Sequence, residues 1–259
     1  MVSSTAGFLM MTAALAAVLA SSAPGPARAL EHDPAGCRQL VLVVVPDWGS
    51  SGGRLARFTR DATAWRRVGD PIDVAIGRSG CGWGLGLHPP QTDGPVKREG
   101  DGRSPAGIFT VGLAFGAADR LETGLEYRQM SAHDWCIDVP ASPRYNTIVD
   151  DREVGADAVR GSTEPMRRDL HLGDSFYDLG FVIGHNCRCE AGAGSCIFAH
   201  LWNRHGAATA GCTAMADGDL RGLLAWLRAD AEPRFVLLPD AEHRRLADAW
   251  DLPPPGALP

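Results

Sequence analysis

Short apolar segments rich in β-branched residues, each bounded by Gly, Pro or charged residues, run through most of the chain. Runs of four to eight such residues between turn signals are typical of β-strands. One amphipathic helix stands out, because Leu220, Leu223, Leu224 and Leu227 recur at helical spacing and Asp217 precedes them as a candidate N-cap. The sequence therefore predicts a mainly β fold with one good helix. The predicted strands include residues 39–46, a hairpin of 55–60 with 65–68, 108–111, 181–183 and 234–239.

Residues 1–29 have the features of a signal peptide. An apolar run at 7–20 is followed by Ala27-Arg28-Ala29, which fits a small-x-small cleavage site and makes Leu30 the first mature residue. The run is shorter than the roughly 20 residues needed to cross a bilayer. We therefore expect an exported protein, in the periplasm or outside the cell, with no membrane span after cleavage.

Composition and net charge limit the domain organisation and the class of partner. Residues 30–251 can bury a core as one domain, and the Pro-rich segment 252–259 is predicted to be a disordered tail. Loss of Arg28 with the leader leaves 24 Lys and Arg against 31 Asp and Glu, a net charge of 24 − 31 = −7. This acidic balance argues against nucleic acid or an anionic membrane surface as a partner.

The chain has seven cysteines. In an exported protein six of them can form three disulfides in many alternative pairings, which leaves one thiol free, and Cys212 is the best candidate for it. A competing interpretation groups His185, Cys187, Cys189 and Cys196 as zinc ligands. Their irregular spacing and an oxidising compartment disfavour it, so we expect no metal and no cofactor.

Cys212 and two histidines form the candidate chemical site. Cys212 follows Gly211 on a turn, His200 ends an apolar strand, and His205 lies in the next loop. A thiolate can attack a carbonyl while an imidazole takes and returns the proton. Thr209 is a candidate to support the turn through its hydroxyl.

Five motifs in one order carry a family resemblance. The segments KREGDGRSPAG, DWCIDVPASPRYN, YDLGFVIGHN, GSCIFAHLW and TAGCTAM together resemble the YkuD-type L,D-transpeptidase catalytic domain, in the branch with a T-A-G-C motif. The resemblance covers residues 40–239. It implies an L,D-transpeptidase-like β-sandwich with a helix after the catalytic Cys, and a reaction on peptidoglycan stem peptides. Such enzymes form a Cys thioester and pass the acyl group to an amine or to water. A carbapenem adduct on the same Cys is a further expectation.

Carried over by position, the resemblance makes Cys212 the nucleophile and His200 the general base. Gly211 would frame the turn whose amides stabilise the oxyanion. Two positions depart from the best-known family pattern: Ala210 replaces a His and Ala214 replaces an Arg. His205 is the candidate to replace the missing His.

Two alternatives stay open from the sequence. An L,D-carboxypeptidase or endopeptidase would use the same thioester with water as acceptor. A non-catalytic wall-binding module braced by disulfides would keep every cysteine structural or metal-bound.

Overall fold

The computed structural model describes residues 1–2, 36–61 and 64–256. Apart from its first two residues, the predicted signal peptide lies outside the described residues. The strands in the described part of the chain are β1 (Gln39–Val45), β2 (Gly52–Asp61), β3 (Ala64–Ala75), β4 (Cys81–Trp83), β5 (Ser104–Gly116), β6 (Tyr127–Gln129), β7 (Asp134–Cys136), β8 (Ile148–Asp150), β9 (Glu164–Pro165), β10 (Leu179–Ile183), β11 (Phe198–Leu201), β12 (Thr213–Met215) and β13 (Arg234–Pro239). The helices there are α1 (Asp151–Val154), α2 (Arg168–His171), α3 (Asp217–Trp226) and α4 (Asp240–Leu246).

The main sheet closes on itself. Its strands follow the order β10-β11-β12-β3-β2-β1-β13-β5, and β5 pairs with β10 to complete the ring. The pairs β1–β13 and β11–β12 are parallel, whereas the other pairs in the ring are antiparallel. The mainly β class is confirmed. The predicted pair of facing sheets is not confirmed, because the structure has one closed, barrel-like sheet and a separate small sheet in the order β8-β7-β9.

The predicted helix is confirmed, but its cap is wrong. Leu220, Leu223 and Leu224 of α3 are buried and belong to the main core, and the helix packs against β10 and β11. Ala216 is the N-cap and its side chain makes no capping bond, whereas Asp217 is the first helical residue. Asp217 pairs instead with Arg221 one turn later.

The seven cysteines form one disulfide, between Cys136 and Cys196. The expectation of three disulfides is therefore wrong, because the other five cysteines are free thiols. Cys37 and Cys81 are two of these, and both are buried. A free Cys packs as a small hydrophobic residue, which explains why Cys37 and Cys81 are buried. The zinc alternative also fails, since it needed the thiolate of Cys196.

The end of the domain extends past its predicted boundary. Leu252 and Pro253 are buried, and His243 donates a hydrogen bond from Nε2 to the Pro253 carbonyl at 2.9 Å. The packed chain thus reaches at least two residues into the predicted tail, while 257–259 lie outside the described residues. None of the helices in the part that the structure describes has the length and apolar character needed to cross a bilayer.

Candidate active site

Cys212 and His200 line the same cavity, which has a volume of about 260 Å³. The parallel pairing of β11 and β12 sets Ala199 opposite Thr213 and His200 opposite Ala214. Cys212 directly precedes β12, so the register brings its thiol to the strand that carries the imidazole. The relative exposures are only 8% for Cys212 and 6% for His200, so both groups meet solvent solely through the cavity.

The imidazole of His200 is held in one tautomer. Its Nδ1 lies 2.7 Å from the Leu201 carbonyl oxygen and must donate to it, because a carbonyl can only accept. In the neutral ring Nε2 then carries the lone pair that a general base needs. Burial lowers the pKa of His200 to about 4, and the bond to Leu201 offsets only part of this effect.

The thiol of Cys212 is held as a neutral group. Its sulfur accepts a bond from the Phe198 amide at 3.3 Å and donates to the Cys196 carbonyl at 3.5 Å. Burial, and to a smaller extent the negative charge of Glu164, raises the pKa of Cys212 to about 12. The hydrogen bond from the Phe198 amide and the positive charge of Lys97 act in the opposite direction.

Two hydroxyl groups fix the turn that presents Cys212. Thr209 Oγ1 donates to the Cys212 carbonyl at 2.7 Å, and Ser104 Oγ donates to the same oxygen at 3.0 Å. The predicted support by Thr209 is thus a direct bond to the turn. The amide of Gly211 donates to Thr209 Oγ1 at 3.0 Å. A Cβ at Gly211 would lie 3.0 Å from the Arg103 carbonyl oxygen, so this turn packs tightly against the chain before β5.

The structure separates His205 from this group. Its side chain is 76% exposed, and its Nε2 lies 3.4 Å from a carboxylate oxygen of Asp73. Its ring packs against Trp202 at 4.9 Å. Within the described chain the lining of the cavity includes Ala210 but not His205.

One wall of the cavity is not predicted by the sequence. Glu164, Arg168, Phe176 and Tyr177 line this wall, although the polar, charge-mixed sequence around Glu164 and Arg168 is typical of an exposed loop. Tyr177 is buried, its ring packs against that of His200 at 5.4 Å, and its hydroxyl donates to Glu164 Oε2 at 2.7 Å. The signal in the sequence was weak: an isolated Tyr next to Phe at the start of a buried strand is typical of packing.

A buried polar network supports the site from behind. Lys97 is only 5% exposed, unlike most lysines, and donates from Nζ to Asp101 at 2.6 Å. Glu99 accepts bonds from the hydroxyls of Tyr145 and Ser195. These bonds join the loop before β5, the loop after β7 and the segment before β11.

The cavity thus combines a thiol, an imidazole with a free lone pair, a phenol and a carboxylate. This set can carry out nucleophilic attack with proton transfer. In comparisons with known proteins, no family model, no curated protein and no solved structure matches the chain. The function of the cavity has to be inferred from its own residues.

Proposed function

We propose that the protein is an exported cysteine acyltransferase that acts on peptidoglycan stem peptides through a thioester, in an L,D-transpeptidase-like fold. The observation that carries the proposal is the shared cavity of Cys212 and His200. The ordered motifs around these two residues supply the reaction and the substrate class, and the leader and the Cys136–Cys196 disulfide agree with export.

In the proposed reaction the donor peptide enters the cavity with its carbonyl carbon against the Cys212 sulfur. His200 Nε2 takes the thiol proton as sulfur attacks, and the resulting imidazolium passes this proton to the leaving amine. The Cys212 amide would stabilise the oxyanion, at about 3 kcal/mol for one donor, whereas the Gly211 amide is held by Thr209 Oγ1 and frames the turn. The acyl group then rests on Cys212 as a thioester until an acceptor removes it.

The neutral resting state fits a Cys212–His200 pair that becomes ionic only during attack on a bound substrate. A buried thiol and a buried imidazole both disfavour their ionic forms, so the thiolate forms during attack rather than before it. The fixed tautomer of His200 supports its role as the base in this step.

Mass spectrometry of the intact protein tests the proposal. The folded protein is incubated with a tetrapeptide stem and, separately, with a carbapenem. We expect a covalent adduct whose peptide map places it on Cys212, and we expect no adduct in a Cys212→Ala variant that unfolds at the same temperature. An adduct that persists in the alanine variant, or none in the native protein, would refute the assignment.

A further inference from the structure

The wall of the cavity formed by Glu164, Arg168, Phe176 and Tyr177 carries a carboxylate. Glu164 opens β9, whose pairing with β7 fixes the backbone at this point. Its side chain is 23% exposed, and it lines the same cavity as Cys212. The Tyr177 hydroxyl donates to Oε2 at 2.7 Å, which orients the carboxylate and leaves Oε1 for a further donor.

The charges around this wall do not balance. Arg168 Nη1 approaches Glu164 at 3.5 Å, but its Nε and Nη2 make a two-bond pair with Asp174 at 2.8 and 2.7 Å. One guanidinium therefore serves two carboxylates, which leaves one excess negative charge. His200 and Cys212 are both neutral at pH 7 because burial disfavours their charged forms. The rest of the lining, including Trp202, Asn203 and four alanines, carries no charge.

We propose that Glu164 binds the acyl acceptor as a primary ammonium and takes its first proton, so that the acceptor of the thioester is an amine rather than water. The inference rests on the proposed function. An ammonium group has three donors and no acceptor, so it complements an oriented carboxylate in a cavity with excess negative charge. Burial also raises the pKa of Glu164, which makes it a better proton acceptor than an exposed Glu.

The transfer step balances as follows. The ammonium gives one proton to Glu164, and the free amine attacks the thioester carbonyl carbon. Its second proton passes to His200 Nε2, the carbon–sulfur bond breaks, and the departing sulfur takes this proton from His200. The products are an amide, a neutral Cys212 thiol and a protonated Glu164, which then releases its proton to solvent.

A competition between two acceptors tests the role of Glu164. The donor is a tetrapeptide stem with acetylated amines, so that it cannot act as an acceptor. The acceptors are α-N-acetyl-lysine amide, which is an ammonium at pH 7, and methoxyamine, which is uncharged there. In Glu164→Gln we expect the ratio of lysine amide to methoxyamine product to fall about tenfold, the loss typical of one charge-assisted bond, while Cys212 still forms the thioester.

Glu153→Gln is the matched control, because it makes the same chemical change on the exposed helix α1. It should leave the product ratio at the native value. If Glu164→Gln does not fold, native protein gives a second measurement: the half-saturating concentration should be about tenfold lower for the ammonium than for methoxyamine. Equal concentrations, or an unchanged ratio in a folded and acylated Glu164→Gln, would overturn the role of Glu164 alone. Absence of any thioester in native protein would overturn the proposed function as well.

Discussion

At the scale of single residues, Cys212 and His200 are both tuned away from ionisation. Burial moves the thiol pKa up to about 12 and the imidazole pKa down to about 4. A thiolate–imidazolium pair would need the opposite order of these two values. In the free protein the Cys212 thiol is therefore neutral and unreactive. It ionises only when a substrate is bound in the cavity.

This state predicts slow alkylation of Cys212. Peptide mapping measures the rate at which iodoacetamide alkylates Cys212. We expect this rate to rise with pH and not to level off at any pH below about 8.5, the ordinary pKa of a thiol. The exposed Cys187 is an internal reference and should react faster at pH 7. Rapid labelling of Cys212 at pH 6 would show a preformed thiolate and contradict the neutral state.

The hydroxyl of Thr209 predicts a second residue effect. Thr209→Val removes the donor to the Cys212 carbonyl and the acceptor of the Gly211 amide, at nearly unchanged volume. We expect the free energy of unfolding to fall by about 1 kcal/mol and the rate of adduct formation on Cys212 to fall with it.

The control for this change is Thr123→Val, since Thr123 Oγ1 also accepts a backbone bond, from Leu125 at 3.2 Å. Thr123 lies in a loop and does not line the cavity. It should lose stability on a similar scale and keep the native rate of adduct formation. Equal rates in both variants would mean that the turn does not depend on Thr209.

At the scale of elements, the chain between β5 and β10 forms the second wall of the site. Strands β7, β8 and β9 make their own small sheet, and Cys136 of β7 is bonded to Cys196 just before β11. The carbonyl of Cys196 also accepts a hydrogen bond from the Cys212 thiol. The disulfide thus joins the wall that carries Glu164 to the segment that holds the nucleophile.

Loss of this disulfide should affect both stability and the site. The two cysteines are 60 residues apart, and closing a loop of that size in the unfolded chain contributes about 4 kcal/mol in the chain-entropy estimate. We expect Cys136→Ser with Cys196→Ser to unfold at a lower temperature and to acylate Cys212 more slowly. Cys187→Ser with Cys189→Ser removes two free thiols and should leave both measurements unchanged. A native unfolding temperature in the first pair would show that the disulfide is dispensable.

Local patterns located most elements but failed where polar residues are buried in pairs. The Pro and Gly of the segment 104–107 are typical of a turn, yet β5 begins at Ser104. Pro105 fits near the start of this strand, where a missing donor is tolerated. The charges of 97–101 predicted exposure, but the Lys97–Asp101 pair lies largely buried. Such partners depend on tertiary contacts, which spacing along the chain does not reveal.

At the scale of the whole molecule, two buried histidines link stability to pH. His185 accepts a bond from the Leu85 amide at Nδ1 and donates from Nε2 to the Ala193 carbonyl, so only the neutral ring satisfies both partners. Burial lowers its pKa to about 4, as it does for His200. Protonation of either ring therefore opposes folding.

The sign of the pH effect follows from these values. Between the ordinary pKa of 6.5 and the folded value of about 4, the unfolded chain binds more protons, so stability falls as the pH falls through this window. Each histidine should contribute up to about 3 kcal/mol to the loss. Urea unfolding from pH 7 to pH 4 measures it, and His185→Gln should make the curve less steep, with the contributions of His200 and of the buried His243 remaining. If the stability of His185→Gln fell with pH as steeply as that of the native protein, His185 would not contribute to the pH effect.

Ring closure is the part of the fold that the sequence did not predict. Strand patterns located β1 and β13 correctly, but nothing local specifies that they pair in parallel across almost the whole domain. The same holds for the contact of β9 with the site, because Glu164 reaches the cavity only through its pairing with β7. Candidate chemistry was readable near Cys212, where the residues are close in sequence, and not across the cavity.

The position of β13 has a consequence for synthesis. This strand lies between β1 and β5, both of which leave the ribosome long before it. A nascent chain that ends after α3 holds these two strands without their shared neighbour, and each has an unpaired edge open to other chains. Completion of the ring must therefore wait until translation has passed residue 239, and until then these two open edges are sites at which the chain can aggregate.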